Sequence, residues 1–210
     1  FLSGKPMGPY SYLGRRKDDP NDIYRHEDRR ELRGLKTVAS WINHVDIKGP
    51  NSLDMFVTEG DRSYVRHYLI DFGTLLGASS QRPHQPSEGH EFAFDQVQMA
   101  KGLVTLGLLG KPWDNAVSMD DPRVGFFEAE TFRPEKWKET YRNPAFLETT
   151  TLDAYWGAKL VMAFTPEEIR DIVAAGGYST PAVAEYLADV LIARREKVGR
   201  YWYTKVAPLD

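Results

Sequence analysis

Apolar and polar positions follow a helical period in the stretch from Glu27 to Asn43. Two acidic residues stand in its first turn, where the helix dipole favours negative charge. The apolar positions recur three or four residues apart, which places them on one face of a helix. They are Leu32, Leu35, Val38, Ala39 and Ile42. The pattern therefore predicts a helix with one buried stripe.

The next stretch changes from helical spacing to a polar loop and then to a β-hairpin. Asn43–Asn51 contains a Gly-Pro pair and several polar residues, which are typical of a loop. Two strand-like runs follow, Leu53–Thr58 and Ser63–Ile70, and Glu59-Gly60-Asp61 between them predicts the turn. The second run ends directly in Asp71-Phe72-Gly73.

The remainder of the chain is predicted to be mostly helical, so the expected fold class is α+β, a mostly helical lobe with one small hairpin. Thr165-Pro166-Glu167-Glu168 has the pattern of a capping box with Pro at the first helical position. The expected helices are Glu91–Leu108, Leu152–Phe164, Thr165 to Gly176, and Thr180 to a basic end at Arg194, Arg195 and Lys197 before Gly199. The expected loops are Gly77–Gly89, Asp114–Pro134 and an irregular connection or surface arm over Phe1–Asn21.

Composition and charge restrict the functional classes. Of the 210 residues, 41% are hydrophobic and 27% are charged, which is ordinary for a globular protein with a sizeable core. The net charge of −3 gives the whole molecule no electrostatic bias toward nucleic acid or an anionic membrane. No apolar run approaches the roughly 20 residues of a membrane helix, so no membrane span is expected. The absence of cysteine excludes disulfides, thiolate catalysis and thiolate metal sites.

Residues 44–73 contain the groups that phosphoryl transfer from ATP requires. That reaction needs a divalent metal at the phosphates, oxygen ligands for the metal and a carboxylate that orients the attacking hydroxyl. Asp46 is the candidate orienting carboxylate. Asn51 offers an amide oxygen five residues later, and Asp71 offers the principal metal carboxylate after the hairpin. The expected cofactors are ATP and Mg²⁺, and the expected partner is a nucleotide.

This arrangement resembles the protein-kinase superfamily. His44–Asn51 has the spacing of the kinase catalytic loop, and Asp71-Phe72-Gly73 resembles its metal-binding triplet. The resemblance implies that Lys48 reaches the transferred phosphate and that Gly73 gives the backbone freedom to position Asp71. By resemblance, the catalytic residues are Asp46 and Lys48. The resemblance further implies that Asn51, Asp71 and Gly73 bind the cofactor, with Asn51 and Asp71 as the metal ligands. His44 and Phe72 would be structural supports.

Three features differ from ordinary protein kinases. Val45 replaces the arginine that usually follows the histidine, so control by a phosphorylated activation loop is not expected. The interval from Asn51 to Asp71 is longer, although the hairpin turn can absorb it. No convincing Ala-Pro-Glu follows the triplet, since Arg133-Pro134-Glu135 is a poor substitute. These features resemble the divergent bacterial kinase-like families of the HipA or spore-coat-kinase type.

A kinase small lobe supplies a glycine-rich phosphate loop, a strand lysine and a helix glutamate. None has room before the helix that begins near Glu27, and Gly4-Lys5-Pro6-Met7-Gly8 is too short and lacks flanking strands. We therefore expect residues 1–22 to be a connecting segment and residues 23–210 to be a kinase-like large lobe. Either the small lobe precedes Phe1 in a longer protein, or this protein does not bind ATP in the usual way.

Two other functions stay open at this stage. A pseudokinase would keep the loop residues for structure and bind protein partners in a larger assembly, and Val45 and the absent small-lobe features favour it. A histidine-metal hydrolase would use His84 and His90, which lie six residues apart. The phosphoryl acceptor, the compartment and the oligomeric state are open as well.

Overall fold

The computed structural model describes residues 2–79, 82–106, 108–121 and 123–206, and its architecture is α+β, as predicted. In this part of the chain, six α-helices accompany one three-stranded antiparallel sheet. The strands are β1 (Lys5–Gly8), β2 (Ser52–Glu59) and β3 (Arg62–Leu69). The helices are α1 (Arg30–Ile42), α2 (Gln96–Val104), α3 (Pro144–Leu147), α4 (Thr151–Met162), α5 (Pro166–Ala175) and α6 (Pro181–Tyr203). Residues 80 and 81 of the expected Gly77–Gly89 loop, and the termini 1 and 207–210, lie outside the described residues.

The predicted hairpin is formed by β2 and β3. Ser52 pairs with Leu69 at one end and Glu59 with Arg62 at the other, so the register is regular throughout. Gly60 forms the turn with a φ of 60°, a left-handed conformation that glycine adopts at little cost. The hairpin therefore carries the chain from the polar loop to Asp71 as the sequence indicates.

The expectation of a surface arm over Phe1–Asn21 was wrong. Lys5–Gly8 forms β1, which pairs antiparallel with β2 and completes the sheet, with an irregularity between Pro6 and Gly8. Tyr10 and Tyr12 then enter the hydrophobic core. Four residues that include Pro and Gly have too little periodicity to indicate a strand, because the hydrogen bonds that stabilise β1 come from a distant part of the chain.

The helical core is built around α1, which crosses α4 at very close range. A Cβ atom at Gly34 would lie 2.6 Å from the Trp156 ring. A Cβ atom at Gly157 would lie 2.9 Å from the Cβ of Thr37 and closer still to the Gly34 carbonyl oxygen. The missing side chains at these two positions therefore allow the two backbones to approach, and this contact fixes the direction of α1 as it leads into the polar loop.

Helix α6 is longer than predicted, because it continues through Gly199 to Tyr203. Gly199 lies against α4, where a Cβ atom would be 2.5 Å from the Met162 sulfur. Arg194, expected at a basic helix end, is instead buried and donates to the carbonyl oxygens of Ser40 (2.6 Å), Trp41 (2.8 Å) and Glu128 (2.8 Å). It thereby ties α6 to the end of α1.

The other helices follow their local signals to different degrees. Helix α5 begins with the predicted capping box, in which Thr165 accepts from the Glu168 amide and Glu168 accepts from the Thr165 amide. Helix α2 is shorter than the predicted Glu91–Leu108, because the Asp95 side chain caps it at the Gln98 amide (3.2 Å). The described part of Asp114–Pro134 contains neither helix nor strand, as predicted. None of the described helices is both long and apolar enough to cross a membrane.

Candidate active site

In the polar loop between α1 and β2, two charged side chains alternate with two buried apolar ones. Asn43 ends α1 in the left-handed conformation (φ 54°), which is a common way to stop a helix. Val45 and Ile47 are 3% and 2% exposed and belong to the hydrophobic core. Asp46 and Lys48 alternate with them and are partly exposed, so the buried pair fixes the position of the charged pair.

Asp46 is the centre of a hydrogen-bond network within this loop. The Lys48 ammonium lies 2.8 Å from its Oδ1, and the Asn51 amide nitrogen donates to its Oδ2 (2.9 Å) and to its main-chain oxygen (2.8 Å). Charged partners make these bonds stronger than neutral ones. No described residue donates to the Asn51 carbonyl oxygen Oδ1, which is therefore available to a ligand.

The hairpin brings the Asp-Phe-Gly triplet back beside this loop. The Ile70 amide donates to the main-chain carbonyl oxygen of Asn51 (3.0 Å), which joins the end of β3 to the loop. The next residue is Asp71. The triplet and the loop are therefore adjacent although Asp71 lies twenty positions after Asn51 in sequence.

His44 lies between the loop and the triplet. Its ring is 5.9 Å from the Phe72 ring, and its Nδ1 is 3.4 Å from the Thr74 hydroxyl. Burial lowers the pKa of His44, and the nearby Asp46 and Asp71 carboxylates oppose this change. The ring contact with Phe72, which stays 52% exposed, and the hydrogen bond with Thr74 therefore join the two segments.

Asp71 has an exposed carboxylate on an unusual backbone. Its φ is 60°, which non-glycine residues adopt only infrequently and which is often associated with functional sites. The Gly73 amide donates weakly to Asp71 Oδ1 (3.4 Å). The left-handed conformation therefore lies at Asp71 itself, whereas the resemblance placed the conformational freedom at Gly73.

Two carbonyl groups on either side of Asp46 are held by residues that the sequence interpretation missed. The Thr140 amide donates to the Val45 oxygen (2.8 Å), and the Asn143 side chain donates to the Ile47 oxygen (3.4 Å). Asn143 also caps α3, and its main-chain amide donates to the buried Glu139 carboxylate (2.9 Å). The Asn143-Pro144 pair is a helix-start pattern that could have indicated the cap, but its contact with Ile47 is not visible in the sequence.

The residues present fit a magnesium site in their chemistry. Asp71 and Asn51 Oδ1 are hard oxygen donors, and Mg²⁺ in proteins commonly takes one or two carboxylates together with phosphate oxygens and water. Among the described residues, no group of three or more His, Cys, Asp or Glu side chains is arranged to hold a metal. A site with so few protein ligands would therefore need phosphate oxygens to complete it.

The two histidines considered for a metal hydrolase have other contacts. His84 Nε2 lies 3.3 Å from Glu88, and its Nδ1 lies 3.5 Å from the Asn43 amide nitrogen. His90 stacks on Trp113 with ring centroids 4.7 Å apart. Both side chains are therefore used for packing and hydrogen bonding with other residues.

Comparisons of the chain with protein-family models, with curated proteins and with solved structures found no match.

Proposed function

We propose that the chain is the large lobe of a protein-kinase-like phosphotransferase that uses ATP and Mg²⁺ and transfers phosphate to a hydroxyl group. The observation that carries this proposal is the main-chain hydrogen bond from Ile70 to Asn51, which brings the segment with the exposed Asp71 beside the loop that holds the Asp46–Asn51 network. An orienting carboxylate, a cation and two oxygen ligands at one place are what phosphoryl transfer requires from a protein.

In this proposal each side chain has a separate task. Asp46 orients the acceptor hydroxyl and accepts its proton, and Lys48 balances negative charge on the transferred phosphate. Asn51 Oδ1 and Asp71 would hold the magnesium ion, which supplies neutralisation of charge on the phosphates. His44 and Phe72 keep the two segments at a fixed separation. The acceptor lies outside what these contacts define.

The burial of Val45 supports a divergent member of the superfamily. A side chain in the core cannot contact a phosphorylated loop at the surface, so control of that kind is not part of the proposal. A small lobe, in a longer chain or a protein partner, would supply the glycine-rich loop and the strand lysine.

Paramagnetic Mn²⁺ offers a direct test, because it accepts the same oxygen ligands as Mg²⁺ and broadens nearby amide signals. On adding Mn²⁺ and ATP, we expect broadening at Asn51, Phe72 and Gly73 in the NMR spectrum of the protein. Asp71→Asn should weaken the binding at least roughly tenfold. The matched control is Asp61→Asn, since Asp61 is an equally exposed aspartate in the hairpin turn. Equal broadening in Asp71→Asn and in the wild type would rule out the proposed ligand set.

The second candidate function is a non-catalytic kinase-like protein that binds partners. One observation favours it: Asp46, Lys48 and Asn51 satisfy one another, as they would in a loop kept only for structure. Absence of any manganese-dependent broadening in a folded protein would favour this candidate. Broadening that depends on Asp71 would favour the phosphotransferase.

A further inference from the structure

The segment around α2 exposes an unusual amount of apolar surface. We call the described residues 94–106 and 108–109 the apolar segment. Helix α2 has no buried residue. Leu103, Leu106 and Leu108 are 78%, 83% and 85% exposed. The other large apolar side chains of the segment that are more than half exposed are Phe94, Val97, Met99, Val104 and Leu109. Contiguous exposed apolar surface of this kind marks an interaction site.

The apolar side chains of α2 occupy one broad face of the helix. At 3.6 residues per turn, Met99, Leu103, Ala100, Val104 and Val97 follow one another around that face, with Gln96 among them. Gln98, Lys101 and Gly102 lie on the other face. A wide apolar face opposite a polar face that carries a basic side chain is the pattern of a helix that lies in a lipid interface.

The charges around the segment complement an anionic lipid surface, although the whole chain has a net charge of −3. No Asp or Glu occurs from Gln96 to Trp113. The basic side chains there and beside the base of the segment are Lys101, Lys111, Lys138 and Arg142, and the acidic ones are Glu91, Asp95 and Asp114. Glu91 and Asp95 are paired with lysines at 2.5 Å each, so Lys101 and Arg142 remain against the single acidic Asp114, and the local balance is positive.

We propose that the apolar segment is an interfacial anchor that inserts into one leaflet of a phospholipid bilayer. Its leucine and valine side chains enter the acyl region, and Lys101 and Arg142 contact anionic headgroups. Helix α2 has nine residues, which is far too short to span the roughly 30 Å hydrocarbon core, so it binds at the interface. This inference is independent of the metal chemistry at Asp71.

Co-sedimentation with vesicles tests the proposal. The protein should pellet with vesicles of phosphatidylcholine mixed with phosphatidylglycerol, and less with phosphatidylcholine alone. The double variant Leu103→Asp and Leu106→Asp should lower the partition coefficient at least roughly tenfold, because a charge on the lipid-facing surface opposes insertion. Ile172→Asp is the matched control, since Ile172 is an exposed apolar residue on another helix, and it should bind as the wild type does. Lys101→Glu should reduce binding to the anionic vesicles several-fold.

A second measurement reports insertion directly. The chain has no cysteine, so a single Leu108→Cys variant can carry one environment-sensitive fluorophore. Its emission should shift to the blue on addition of anionic vesicles, whereas the same label at Ile172→Cys should not respond. Equal binding by the double aspartate variant, or no binding to either vesicle, would overturn the proposal. The proposal would also be overturned if the protein bound no vesicles but self-associated with increasing concentration, and if the double variant abolished that self-association. The surface would then belong to an interface with a second copy of the chain.

Discussion

Glu139 lies behind the polar loop with its two carboxylate oxygens in different situations. Oε1 accepts the Asn143 amide, while Oε2 is buried and has no hydrogen-bond partner among the described residues. Burial raises the pKa of this carboxyl group, and the charges of Lys36 and Arg142 oppose the rise only in part. The folded protein therefore holds a proton on Glu139 at pH values where an unfolded chain has released it.

This difference in pKa predicts that the free energy of unfolding depends on pH. As pH rises above about 4.5, the unfolded state loses its proton first, so the free energy of unfolding falls until pH passes the raised pKa of Glu139. Glu139→Gln cannot ionise and should escape this fall. Denaturant titrations of both proteins at several pH values should show the glutamine variant gaining on the wild type as pH increases. The same change of unfolding free energy with pH in both proteins would contradict the prediction.

The residues of the proposed site have a sequence signal that the residues positioning them lack. Asp46, Asn51 and Asp71 are candidates because of their spacing within thirty residues. Thr140 and Asn143 lie more than ninety positions farther along than Val45 and Ile47, and no local pattern connects them to the carbonyl groups of those two residues. Positioning by tertiary contact leaves no periodic signal in the chain.

At the scale of elements, the crossing of α1 and α4 depends on two missing side chains. We expect Gly157→Ala to lower the free energy of unfolding by about 1–3 kcal/mol, because the added methyl group meets the Gly34 backbone and Thr37. For a chain of this length the melting temperature should fall by several degrees.

Gly102→Ala is the matched control, since Gly102 also lies within a helix but a Cβ atom there meets nothing within 4 Å. Helix propensity alone should then leave the protein equally stable or up to about 1 kcal/mol more stable. The same loss of stability in both variants would mean that the glycines matter for the helix rather than for the crossing.

Local signals predicted the elements whose ends are decided locally. The capping box at Thr165 and the turn at Gly60 were both found from sequence. Strand β1 and the last turn of α6 were not, because β1 depends on pairing with β2 and Gly199 in α6 depends on the fit against Met162. A glycine that commonly ends a helix can continue one when a neighbouring helix needs the space.

At the scale of the whole molecule, burial lowers the pKa values of three of the described histidines, the buried His44 and His84 and the partly buried His90. An unfolded chain protonates them near pH 6.5, before the folded protein does. The free energy of unfolding should therefore decrease as pH falls from about 7 to 5. Carboxylates with lowered pKa values, such as Asp22 and Asp95, add to this loss mainly below about pH 4.5.

Denaturant titrations in the Glu139→Gln background check this prediction, because that variant removes the opposite pH dependence of Glu139. Replacing His90 by glutamine should make the curve between pH 7 and 5 less steep. If the stability of the Glu139→Gln protein stays constant across this range, the histidines take up protons equally well in the folded protein and the prediction is wrong.

At position 71 the left-handed backbone favours glycine, whereas the proposed metal site requires the carboxylate of Asp71. A non-glycine residue with φ of 60° costs about 1 kcal/mol, and glycine would adopt the same conformation freely. Engineering for heat resistance would therefore choose glycine at position 71 and would delete the carboxylate with it. A more stable protein obtained in this way would be one that had lost the metal ligand that we propose.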